Sequence, residues 1–127
     1  MYDYTVTSDK TVEQVYQTLL EALPTIKFGV LWELDLKATL AEKGVNHDQE
    51  GLILEVCNPK QAKTLIDENP LAHYFLPCKL VIYQVNGVTK VGMPRPTIQA
   101  QMIGDHHLER LAEEIERALT NVLDQVK

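Results

Sequence analysis

The stretch Lys79-Leu80-Val81-Ile82-Tyr83-Gln84-Val85-Asn86-Gly87-Val88-Thr89-Lys90-Val91-Gly92-Met93 decides how the chain folds. Lys79 to Val85 and Val88 to Met93 are rich in β-formers and read as two strands. Asn86-Gly87 between them is the strongest short hairpin signal, because the tight turn needs positive φ at both central residues. Downstream, Met93-Pro94-Arg95-Pro96 is expected to leave the ladder, since proline has no N–H to donate. Thr97 to Gln101 is then expected as one more short strand.

Upstream of the hairpin, Leu52 to Cys57 reads as a mostly buried strand, and three helix-start signals follow it directly. Asn58 can cap, Pro59 suits the first helical position, and Gln61 can reach back to the cap backbone. That helix is predicted to about Asn69 and is broken by Pro70. Leu71 to Leu76 forms a second apolar turn ended by Pro77.

Nearer the N-terminus, Tyr2 to Thr7 alternates as a half-buried strand. Thr11 and Gln14 make a capping box for a helix whose stripe is Val12, Val15, Tyr16, Leu19, Leu20 and Leu23, stopped at Pro24. Phe28 to Leu36 reads as a strand with Val30, Trp32, Leu34 and Leu36 on one face and Glu33, Asp35 and Lys37 on the wetter one. A short helix over Lys37 to Lys43 ends at Gly44, and Val45 to Gly51 is a polar loop. The final helix is capped by Asp105, carries the stripe Leu108, Leu111, Ile115, Leu119, Val122 and Val126, and offers Glu113–Arg117 as a solvent pair.

The chain of 127 residues fits one domain, 1–127. Hydrophobic residues at 45% and charged residues at 24% are an ordinary globular mix that needs neither metal nor disulfide to fold. A formal charge of −6, with no basic stripe and no aromatic residues interleaved with Lys or Arg, argues against nucleic acid as a partner. No apolar run approaches the roughly 18 residues of a membrane span, and no secretory signal is visible, so a soluble cytoplasmic protein is expected. Phosphate-cradling glycine loops, nucleophile elbows and dinucleotide fingerprints are missing too.

The segments FGVLWELDLKATLAEKG, VCNPKQA and LPCKLVIY resemble the bacterial and archaeal domain-of-unknown-function family numbered 302, over nearly the whole chain. The resemblance implies an α+β domain: a curved, mainly antiparallel sheet covered by helices on one face, similar to the TATA-binding-protein topology. It also implies a homodimer. It implies no reaction, and DNA binding does not travel with a fold.

Cys57 ends a strand just before a helix cap, where unpaired amides stabilise negative charge and can favour a thiolate. A simple crossover would put Cys57 and Cys78 at opposite ends of parallel strands. The break at Pro70 instead lets the chain double back and bring them to the same end, and the family resemblance favours that arrangement. A close pair would suit thiol–disulfide exchange, sulfur or electrophile handling, or soft-metal binding. Free cysteine also packs simply as a small hydrophobe.

Asn58 could orient a ligand at the same spot, and His73 is the best candidate for a base or third ligand. Arg95, held between two prolines, is the rigidly presented cation for an anion. Glu33 and Asp35 sit roughly 7 Å apart on one strand face and would serve acid–base work only if their surroundings split their pKa values. His106 and His107 diverge around a helix, so no metal site and no cofactor are expected.

The expectation is therefore a homodimeric small-ligand-binding or stress-associated module with a Cys57/Asn58/Cys78 site. One alternative is a thiol-dependent redox or sulfur-handling enzyme with Cys57 attacking and Cys78 resolving. The other is a structural dimer with inert thiols.

Overall fold

Asn86 and Gly87 both adopt positive φ, 52° and 79°, and close the hairpin between β4 (Cys78–Val85) and β5 (Val88–Pro94). The computed structural model describes residues 1–127. In it β1 (Asp3–Ser8), β2 (Gly29–Asp35) and β3 (Gly51–Cys57) join this hairpin in one sheet. The strand order is β1-β5-β4-β3-β2, and every neighbouring pair is antiparallel. The fold is α+β, and no helix is long and apolar enough to cross a membrane.

Helices α1 (Val12–Ala22), α3 (Pro59–Glu68), α4 (Pro96–Ile103) and α5 (His106–Val126) supply most of the rest of the core, with Leu23, Phe28, Ala72 and Phe75 from the connections, while α2 (Leu36–Glu42) buries no residue. Their starts follow the cap chemistry: Thr11 and Gln14 form the complete capping box, Asn58 accepts from the Gln61 amide, and Asp105 accepts from the Leu108 amide. Val15, Leu19, Leu108, Ile115, Leu119 and Leu123 close over Leu54, Val56, Leu80, Ile82 and Val91. These strand residues alternate with less buried ones, so the sheet is sealed on the helix side only.

The register then defines the open face. One row crosses all five strands as Leu34, Ile53, Val81, Gly92 and Thr5. A second runs Trp32, Glu55 and Lys79, and a third Gly51, Tyr83, Lys90 and Thr7.

Five local readings are corrected, the first being that Met93 and Pro94 do not leave the ladder but end β5 opposite Tyr4 and Asp3. Thr97 to Gln101 lies in α4, a helix and not a strand, because Pro96 suits its first turn and Gly104 ends it at φ +86°. The cap of α4 comes from another helix: Glu116 of α5 accepts from the Thr97 amide at 3.1 Å and from its hydroxyl at 2.7 Å. In β2 a bulge between Val30 and Trp32 breaks the single apolar face, leaving Val30 opposite Val56 but Trp32 opposite Glu55. Gln61 does not reach back to the cap backbone, and its buried Oε1 has no partner. The Glu113–Arg117 pair does not form, whereas the helix surface pair Lys63–Asp67 does, at 2.6 Å.

Gly92 is the tightest point of the sheet. A Cβ there would lie 2.6 Å from Thr5 Oγ1 and 2.7 Å from the Tyr4 carbonyl oxygen, whereas one at Gly51 would meet nothing within 4 Å. Gly92→Ala is therefore expected to lower stability by roughly 1–3 kcal/mol in urea unfolding. Gly51→Ala should be close to neutral in the same measurement. Equal effects would show that β1 yields without cost.

Candidate functional site

Cys57 and Cys78 are free thiols at the same end of the sheet, as antiparallel β3 and β4 require. They do not share a face. Cys78 lies opposite Val56, one residue off register from Cys57, and both Cys78 and Val56 are buried on the helix side. Alternation places half-buried Cys57 on the open face with Glu55. Burial raises the Cys57 thiol above its ordinary value of 9.0. Burial pushes Cys78 to about 12, with smaller contributions from the charges of Cys57 and Glu55. Both thiols are thus held in the protonated form, opposite to the lowering expected of a helix start.

The other sequence candidates are dispersed. Asn58 spends its side-chain oxygen on the Gln61 amide at 3.2 Å, which fixes the start of α3. His73 stands exposed in a 3₁₀ turn over Pro70–Tyr74, with Nδ1 2.7 Å from the Pro70 carbonyl oxygen. Arg95 is committed inside the protein: Nε donates to Glu116 at 3.1 Å and Nη1 to the Met1 carbonyl at 3.3 Å. Its amide also donates to the Tyr2 carbonyl at 2.8 Å, so Arg95 and Glu116 together tie the N-terminal arm to α5. Glu33 accepts from the Tyr16 phenol at 2.6 Å and Asp35 caps α2, so each carboxylate has a separate structural partner. No three His, Cys, Asp or Glu side chains converge to hold a metal.

What the structure does assemble is a groove on the open face. One cavity of about 270 Å³ is lined by Tyr2, Glu55, Tyr74, Phe75, Lys79 and Gln99, among others. A second, of about 470 Å³, is lined by Thr5, Val81, Tyr83 and Gly92 and shares Tyr2, Lys79 and Pro94 with the first. Cys57 neighbours the groove through Glu55, two residues before it on the same face. The signal for this site was the strict alternation Lys79, Val81, Tyr83 along β4, which places a cation, a floor residue and a phenol on the face without helices.

The family described as Domain of unknown function DUF302 matches residues 4–126. A crystal structure of an uncharacterized conserved DUF302 protein from Bacillus stearothermophilus is 43% identical. It superposes with a TM-score of 0.97, covering 100% of this chain and 99% of that one. Comparison with curated proteins finds no match. A family match over nearly the whole length, together with that structural agreement, places the chain in the DUF302 family.

Proposed function

We propose that the protein is a small-ligand-binding module that works as a homodimer, with its ligand in the open-face groove and Cys57 at the groove's border. The observation that carries this reading is the groove itself: two adjoining cavities with three shared residues, one floored by the strands and the other walled by Tyr2, the Tyr74–Pro77 segment and Gln99 of α4. Within the Cys57/Asn58/Cys78 constellation the roles divide. Cys57 faces the ligand side, Asn58 holds the helix start, and Cys78 packs beneath the sheet. Turnover through a thiolate is disfavoured because both thiols are pushed up in pKa and no base stands against Cys57.

The dimer reading rests on a different patch. Leu31 is 62% exposed and Trp32 50%, with Leu36 and Val45 also exposed, all at or beyond the unpaired edge strand β2. Apolar groups at an unpaired sheet edge favour covering by a symmetry mate, and this edge lies across the sheet from β1 and Gly92.

Light scattering is expected to give twice the 14.4 kDa chain mass, and Leu31→Asp to give a single chain. A monomeric wild type at micromolar concentration would refute the dimer. In site-resolved alkylation across pH, Cys57 should react only above the range of a free thiol, and Cys78 only once the protein unfolds. Reaction of Cys57 below that range would make the thiol enzyme the better reading. In a thermal-shift panel of small polar metabolites, at least one should stabilise the protein, and Val81→Arg, which fills the groove floor, should abolish the shift. If every stabilising compound still stabilised Val81→Arg, the groove would not be the site.

A further inference from the structure

The charged side chains that alternation puts on the open face are Asp3, Lys90, Glu55 and Lys79. Asp3 accepts from the Thr5 hydroxyl at 2.6 Å, and Lys90 donates to the Thr7 hydroxyl at 3.0 Å. Glu55 and Lys79 stand directly opposite each other across β3 and β4, where opposite charges ordinarily pair. They form neither an ion pair nor any other side-chain hydrogen bond within the protein. Both line the smaller cavity, where each is left open to a ligand.

We propose that this groove takes a zwitterionic, amino-acid-like molecule, whose carboxylate pairs with Lys79 and whose ammonium pairs with Glu55. The inference rests on the ligand-binding reading above and names the class of ligand. One acid and one base balance at this end of the groove, so a phosphate-like dianion meets Glu55 unfavourably and a dication meets Lys79 unfavourably. A molecule carrying both charges on one carbon satisfies both side chains at once, in the reverse of the polarity the protein presents.

The remaining walls fit the rest of such a molecule. Tyr2, Tyr74 and Phe75 offer aromatic surface, and Gln99 offers a carboxamide. Beyond Lys79 the groove continues over Val81 and Tyr83 to Gly92, where Thr5 packs closely over the glycine. Val81 and the Tyr83 ring offer the surface for an apolar or aromatic side chain. The Tyr2 backbone is held by the Arg95 amide, and Arg95 by Glu116, which sets where the N-terminal arm borders the groove.

The test is a ¹⁵N-resolved NMR titration of the full chain with L-phenylalanine, its amide (ammonium only) and its N-acetyl derivative (carboxylate only). L-Phenylalanine is expected to shift the amides of Glu55, Lys79, Val81 and Gly92, and the two singly charged analogues to bind at least roughly tenfold more weakly. Glu55→Gln and Lys79→Met should each lose a similar factor, and the double exchange Glu55→Lys with Lys79→Glu should recover it. Both positions are solvent-accessible, and matching spectra would confirm that the variants fold.

Equal binding of all three probes at these residues would overturn the zwitterion while leaving the groove as a ligand site. Shifts elsewhere, or none, would overturn the assignment of this site to amino-acid-like ligands, and the metabolite panel with Val81→Arg would then decide the broader reading separately. If Lys79→Met instead converted a dimer to monomers, the natural occupant would be a second copy pairing Lys79 with Glu55 across a two-fold axis, and the proposal would fall.

Discussion

Because side chains alternate along a strand, sealing one face of β3 and β4 with helices commits every second residue to the other face. Leu54, Val56, Leu80 and Ile82 go inward and are fully buried. Ile53, Glu55, Cys57, Lys79, Val81 and Tyr83 are thereby delivered to a surface no helix covers. The same parity separates the cysteines. Their strands are neighbours, but the register pairs Cys78 with Val56, and a one-residue offset is a change of face. The chemistry available at the end of the sheet is therefore that of one half-buried thiol beside a polar groove, with the second thiol in the core.

Glu116 links the sealed side to the open one. Its carboxylate is only 16% exposed and accepts from Arg95, the Thr97 amide and the Thr97 hydroxyl. Hydrogen bonds to a charged group contribute on the order of 1.5–3 kcal/mol each, more than exposed pairs such as Lys63–Asp67, which contribute under about 1. One side chain of α5 thus caps α4 and orients Arg95, and Arg95 holds the backbone of Met1 and Tyr2. Arg95 acts as a positioning residue for the groove wall, and its guanidinium is already neutralised before any anion could approach.

Features carried by local chemistry were legible in the sequence. Asn86-Gly87 declared the hairpin, and Thr11, Asn58 and Asp105 declared helix starts, because each depends on a few adjacent residues. What was illegible depends on distant partners. Helix α4 has mixed local propensity and draws its cap from Glu116, nineteen residues on, so Thr97 to Gln101 looked like a strand. The bulge that turns Trp32 to the open face exists only in relation to β3. Arg95 looked free because nothing nearby in the chain announces Glu116. The groove was half-legible: alternation in β4 places Lys79 beside Val81 and Tyr83, but Glu55 becomes its opposite number only through the register.

That opposition is also the place where the chain departs from its own habits. The other charges on this face are absorbed: Asp3 by Thr5 and Lys90 by Thr7. Places where a local rule is not met mark candidate functional sites. Here the failure is electrostatic rather than steric, with an acid and a base opposed and unjoined over a cavity. The two side chains share one aromatic-walled groove. An acid and a base opposed on neighbouring strands are suited to recognising a molecule that carries both charges.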